Sequence, residues 1–308
     1  MIKMLFAAVI VGAIFFAAMS LLPTMGSEPQ TKGQGGAPTS QYQNESYKVP
    51  APDTAPPPLP MPKTYGDATR WMQQNAIYNE SISVPVRCEA QALDLANATR
   101  AQLQTHFDNL TACLMRVFAP PMQAASFTAV RPTVTIYSGQ VNSPCGTLPR
   151  RNAAYCSADQ QVYYATDLPA IIPTELRSAD FVVDSVVAHE FAHALQARTG
   201  ILISQAAWAQ QSTKPEALEL SRRTEVQADC WAAQFLQSVG QSVGLQANDV
   251  QMIGQLFYSI GDDQLTGRPD VLGNHGTGTS RMAWYNTGIS QQRMGACNSY
   301  TAPANQVR

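Results

Sequence analysis

Charge is scarce in this sequence. Only 14% of its 308 residues are Asp, Glu, Lys or Arg, and the formal net charge is -2, so there is no basic surface to neutralise phosphates and nucleic acid is not an expected partner. Runs of lysine or arginine that would mark a lipid head-group patch are absent from the body of the chain. No CxxC pair occurs, which argues against a zinc ribbon, and no internal repeat is visible.

What is present divides the chain into three parts. From Met4 to Leu22 the sequence carries no charge, and Lys3 is the only charge before it. At about 1.5 Å per residue that run is long enough to cross a bilayer as a helix. Residues 1–25 therefore read as a single-pass membrane anchor with the remainder facing outward. Ala17, Ala18 and Ser20 resemble a cleavage site, so a signal segment removed from a secreted protein is the alternative. Residues 26–62, rich in Gly, Ser, Gln and Pro, read as a disordered linker. Residues 63–308 are then one folded domain.

The 6 cysteines are Cys88, Cys113, Cys145, Cys156, Cys230 and Cys297, an even number that suits disulfides. Cys145 and Cys156 suggest a local bridge, with Cys88 to Cys113 and Cys230 to Cys297 as the simplest remaining pairing, although spacing alone leaves connectivity open.

Residues 64–118 contain stretches of helical periodicity, notably 92–118, which Pro120 and Pro121 are expected to end. His106 falls there and reads as an ordinary helix residue rather than a ligand. Two strand-like runs follow, at 133–139 and 161–168, rich in β-branched and aromatic residues. A helix is expected from Ala179 to Arg198 with Ser178 as N-cap and Gly200 as stop. Another begins near Pro215, where Thr213 and Glu216 form a capping-box pattern, and runs to Gly240. A short helical stretch is expected around 280–286.

Two of the 4 histidines fall in HEFAH, His189 to His193, inside a strongly apolar helix. A spacing of four points both imidazoles the same way, so one tetrahedral zinc can accept a nitrogen from each. Glu190 sits roughly 100° around the helix, beside the metal rather than on it, where a base for an activated water belongs. A catalytic zinc needs a third protein ligand and an open position. On the second helix Glu225 and Asp229 lie within about 20° of Leu218 and Leu236, on the stripe facing the core. Carboxylates buried there need a cation or strong hydrogen bonds. Glu225 is assigned as the ligand and Asp229 as the acceptor that orients a ligating histidine; the swapped roles are the alternative. His275, in a glycine-flanked loop, is a candidate donor to a developing oxyanion, or else a structural residue.

SPCG at 143–146, YCSADQQVYY at 155–164, VVAHEFAHALQ at 186–196, EVQADCWAA at 225–233, IGDD at 260–263 and HGTGTSRMAWYNTG at 275–288 together resemble the putative neutral zinc metallopeptidases. The family pattern is commonly HEYGHHxQ, whereas Ala192 and Ala194 stand here; neither change removes a ligand or the base. The resemblance implies that Glu225 belongs to the metal site and that the cofactor is Zn2+. It also touches Arg281 and Trp284, which packing explains as well.

The expected fold is α+β and zincin-like: a small antiparallel sheet packed on the helices that carry HExxH and ExxxD. The expected function is hydrolysis of peptide bonds in a peptide or protein substrate, which an edge strand such as 161–168 binds by strand addition. The competing reading is a non-catalytic zinc-binding envelope protein, whose closed site would need a fourth ligand such as Asp229 or His275.

Overall fold

A computed structural model describes residues 41–308, apart from Ser178 and Leu272. In chain order its helices are α1 (Tyr65–Gln73), α2 (Arg100–Ala124), α3 (Val182–Arg198), α4 (Ile201–Ala209), α5 (Lys214–Val243), α6 (Ala247–Ser259), α7 (Asp262–Thr266) and α8 (Gly278–Ser290). The strands are β1 (Val134–Tyr137), β2 (Val141–Ser143), β3 (Gly146–Leu148), β4 (Ala153–Cys156) and β5 (Gln161–Ala165). The α+β class holds.

The sheet differs from expectation in its pairing. Its order is β1-β5-β4, with β1 parallel to β5 and β4 antiparallel to β5. The tight turn at 157–160 allows β4 and β5 to form a hairpin, whereas β1 returns to β5 only after the β2–β3 hairpin and β4, a long connection that permits parallel pairing. β5 is therefore central and fully buried, and β4 rather than the 161–168 segment is an edge.

The helices close over one core. α3 packs on α5, and α5 runs against α8 so closely that a Cβ at Gly288 would meet the Cys230 carbonyl oxygen at 2.0 Å. Trp231, Phe235 and Phe191 are completely buried between these layers. The Thr213–Glu216 capping box is present, and Gly244 in the left-handed region ends α5. α3 starts later than expected, at Val182, and the expected N-cap Ser178 lies outside the described residues. All three cysteine pairs, Cys88–Cys113, Cys145–Cys156 and Cys230–Cys297, are disulfides.

α2 runs through Pro120 and Pro121 to Ala124 instead of stopping before them. A helical proline removes the donor for the carbonyl four residues earlier. For Pro120 that carbonyl belongs to Arg116, and the Asn44 side chain donates to it at 3.1 Å.

Residues 41–62, expected to belong to the linker, lie against the domain. They belong to the same compact unit as the rest of the described chain, and Tyr47 and Val49 pack on the core. Extended proline-rich backbone leaves its carbonyls unpaired, and two buried arginines take them. Arg131 donates to the Pro50 carbonyl at 3.0 Å, and Arg198 to that of Pro57 at 2.8 Å. Gln160 and Gln161 donate to the Pro57 and Asp53 carbonyls.

The expected membrane placement is corrected. Among the described residues no helix is long and apolar enough to cross a membrane. α5 has the length, 30 residues, but carries Arg222, Arg223, Glu225 and Asp229, and apolar α4 has only 9. The segment Met4–Leu22 on which the anchor rested lies outside the described residues.

If the arginine contacts hold residues 41–62 to the domain, Arg198→Met leaves several carbonyls without their donor. It is expected to destabilise the protein by about 1–3 kcal/mol, read as a lower urea midpoint at constant m-value. An unchanged midpoint would mean that the tract contributes no stability.

Candidate metal centre

α3 is apolar almost all round, so the polar side chains it buries stand out: Asp184, His189, Glu190, Gln196 and Arg198. His189 and His193 lie one turn apart and their Nε2 atoms approach to 3.1 Å. Glu225, on the facing turn of α5, brings one carboxylate oxygen to 3.2 Å from His189 Nε2 and the other to 3.6 Å from His193 Nε2. Ligands about 2.0–2.1 Å from a tetrahedral zinc lie roughly 3.3 Å apart, so the spacing of these donors fits a single ion. Among the described residues these three form the group able to hold a metal.

The outer nitrogens of both rings are already engaged. His189 Nδ1 lies 2.7 Å from Asp229 Oδ1. His193 Nδ1 lies 2.7 Å from Gln196 Oε1, and the Gln196 amide in turn donates to the Thr224 carbonyl and to Gln227. With Nδ1–H donated outward, each Nε2 keeps its lone pair for the centre. Asp229 is completely buried and receives two further bonds from Arg281 on α8, Nε to Oδ2 at 2.9 Å and Nη2 to Oδ1 at 2.8 Å. Asp229 therefore sits behind His189, not with the three inward-facing donors.

Glu190 faces the same cleft without joining the three. Its Oε2 accepts the Tyr155 backbone N–H at 2.8 Å, which ties the side chain to the outer edge of β4. Asn152 turns its carbonyl inward to the Ala165 N–H; by strand alternation Ala153 and Tyr155 turn their peptide groups away from β5. The cleft, about 430 Å3, is lined by this edge, by His189, Glu190, His193 and Glu225, and by His275.

His275 is held by Asp262, the first residue of α7. Asp262 Oδ2 accepts the backbone N–H groups of His275 and Gly276, both at 2.9 Å, and Oδ1 lies 3.3 Å from His275 Nδ1. Around it the chain is packed backbone to backbone: a Cβ at Gly261 would fall 2.1 Å from the Gly278 nitrogen. The Asp262 contact raises the pKa of His275, against the effect of burial. Burial opposes ionisation of Asp262, but the His275 ring and the two amides outweigh it and hold its pKa below the ordinary value. His106 is distant from this centre in role: it is buried between α2 and α3, paired with Asp184.

The cluster is strongly coupled. Burial disfavours the charged form of His189, yet Asp229 and Glu225 outweigh it and raise its pKa to about 10. Burial likewise opposes a charged Glu225, but the rings of His193 and His189 hold its carboxyl well below the usual range.

Sequence reasoning brought His189, His193, Glu190, Glu225, Asp229 and His275 to this cleft or directly behind it. It assigned no role to Gln196, Asp262 or Arg281. Gln196 left a readable signal, an amide three residues after His193 on an apolar helix; Arg281 left a fainter one, the lone charge in α8.

A family described as "Putative neutral zinc metallopeptidase" matches residues 69–300. Uncharacterized protein YpfJ of Escherichia coli is 31% identical over 181 residues, which is 56% of this chain and 63% of that protein. Uncharacterized protein Rv2575 of Mycobacterium tuberculosis is 32% identical over 191 residues, again 56% and 63%. The chain thus spans less than two thirds of the curated relatives it matches. No solved structure matches.

The coupling makes a prediction for EDTA-treated protein. A His189 pKa of about 10 in the fold, against about 6.5 unfolded, contributes stability that is complete below about pH 6.5 and lost as pH rises toward 10. Glu225, lowered in the fold, contributes stability present above about pH 4.3 and lost as pH falls. The melting temperature is therefore expected to decline between pH 6.5 and 10, with the decline removed in His189→Gln. A flat profile in that window contradicts the arrangement.

Proposed function

This chain belongs to the putative neutral zinc metallopeptidase family, and on that premise we propose that it is a zinc-dependent peptidase with His189, His193 and Glu225 as metal ligands and Glu190 as general base. The observation that carries the reading is the convergence of the three donors at 3.1, 3.2 and 3.6 Å with both outer imidazole nitrogens already engaged. Three protein ligands leave a position open for chemistry. Asp229 is bound behind His189 and to Arg281, and His275 is not among the donors that converge within 4.8 Å of one another, which argues against the closed four-ligand site of a purely structural zinc.

The ion, when bound, supplies a Lewis acid that makes water a competent nucleophile near neutral pH. Glu190 takes the proton of the attacking water and returns it to the leaving amine. Its bond to the Tyr155 N–H fixes the carboxylate at the strand edge, beside the place a peptide would occupy. An extended peptide or protein segment docks on the outward peptide group of Ala153 and the carbonyl of Tyr155, whose N–H Glu190 holds, adding a short strand to β4. His275, oriented by Asp262, faces the cleft as a donor to the oxyanion that develops on the attacked carbonyl.

Three substitutions separate the roles. Glu190→Gln is expected to retain one zinc per chain while hydrolysis of a peptide library falls about 100 to 10,000-fold. Glu225→Ala is expected to lose the zinc, measured by metal analysis after dialysis. Asp229→Asn keeps the three donors but weakens zinc binding by about 10 to 100-fold. Full activity in Glu190→Gln, or full zinc content in Glu225→Ala, refutes the assignment.

For the loop, Asp262→Asn is expected to lower kcat by about tenfold or more with little change in KM, because the oriented donor acts on the transition state. A change in KM alone would remove His275 from the chemistry.

A further inference from the structure

Half of the cleft has no part in the chemistry above, and it is apolar. Ile171, Ile172, Val186, Leu256, Ile260 and Leu265 line it. Phe257 lines it too, its ring 6.4 Å from that of His189. Two of these side chains are exposed to a degree unusual for their type, Ile171 at 42% and Leu265 at 61%. Exposed apolar groups in the lining of one cleft mark a place where something apolar is buried.

The position of this wall along the strand edge follows from the register. Ala153, at the start of β4, pairs with Tyr164, near the end of β5. The chain leaving β5 reaches Asp167, which accepts the Arg151 N–H at 2.7 Å, and then forms the 3-10 turn Leu168–Ile171. The apolar wall is therefore at the N-terminal end of β4. A peptide that adds to this edge in the antiparallel sense, as β5 does on the other side, directs its carboxyl-terminal half toward that end.

Resting on the peptidase reading, we infer that the cleft selects a large apolar side chain, Leu, Ile, Phe or Met, on the carboxyl side of the scissile bond, with Ile171 and Leu265 as rim residues that determine the preference. The selectivity is hydrophobic burial: an apolar side chain passes out of water into contact with the wall, while a small one leaves the wall wet and a charged one is desolvated without a partner. One pocket of this kind discriminates by about 10 to 200-fold.

The test uses the zinc-loaded protein and two rim variants, Ile171→Glu and Leu265→Glu, whose exposure makes them compatible with folding, checked by circular dichroism and zinc content. Cleavage sites in a peptide library are mapped by mass spectrometry, and kcat/KM is compared for peptides with Leu or Ala following the scissile bond. Independently of turnover, calorimetry compares 2-isobutylsuccinic monohydroxamate, which carries the leucine side chain on the carboxyl side of the metal-binding group, with succinic monohydroxamate. The wild type is expected to favour Leu at least tenfold in both assays, with the ratio falling to a few-fold in the variants. Cleavage without an apolar preference, or with the preference on the amino side, overturns the inference and leaves the peptidase reading standing. Tighter binding of the isobutyl hydroxamate that is lost in the variants, together with no hydrolysis by the wild type, upholds the pocket and overturns the peptidase reading.

Discussion

Asp229 is a carboxylate with no exposed surface, and the cost of burying it sets the arrangement of everything around it. A buried unpaired charge is untenable, and this one is met by two cationic or donor groups from different helices, His189 on α3 and Arg281 on α8. Those contacts fix α3 and α8 relative to α5 at the level of the cleft. Because the bond to Arg281 uses two parallel N–H donors, it defines an orientation as well as a distance. The imidazole of His189 inherits that orientation. The geometry of the candidate metal centre is thus a by-product of solving one electrostatic problem in the core.

His193 is supported differently. Its partner is the neutral amide of Gln196, itself anchored to α5 through the Thr224 carbonyl and Gln227. One imidazole is backed by a charge and the other by a dipole, so the two rings are not equivalent donors. The carboxylate-backed ring is the more basic. Both supports cross the same α3–α5 interface, which explains why that interface is so thoroughly packed.

The two helices that carry the candidate metal ligands were legible in the sequence because their signals are local: an apolar helix interrupted by HEFAH, and a capping box ahead of a stripe bearing Glu225 and Asp229. The three disulfides were legible because their pairing is the simplest one. The sheet was less so. β4 is only Ala-Ala-Tyr-Cys, too short to show alternation, and the parallel pairing of β1 with β5 depends on contacts made across the intervening hairpin. Residues 41–62 look like a spacer by composition, since what holds them lies elsewhere, on Arg131 and Arg198. Arg281 and Asp262 escaped assignment for the same reason: their roles exist only once α7 and α8 are placed against α5.

The Cys145–Cys156 disulfide closes off β4 at its far end, while the Glu190 carboxylate occupies the edge at Tyr155. The open edge is consequently confined to a strand of 4 residues. Long bare edges invite pairing with other chains and lead to aggregation, whereas a stub that is stapled at one end and partly occupied in the middle offers too little backbone for that. The molecule can therefore leave this strand edge uncovered and still remain safe from its own neighbours.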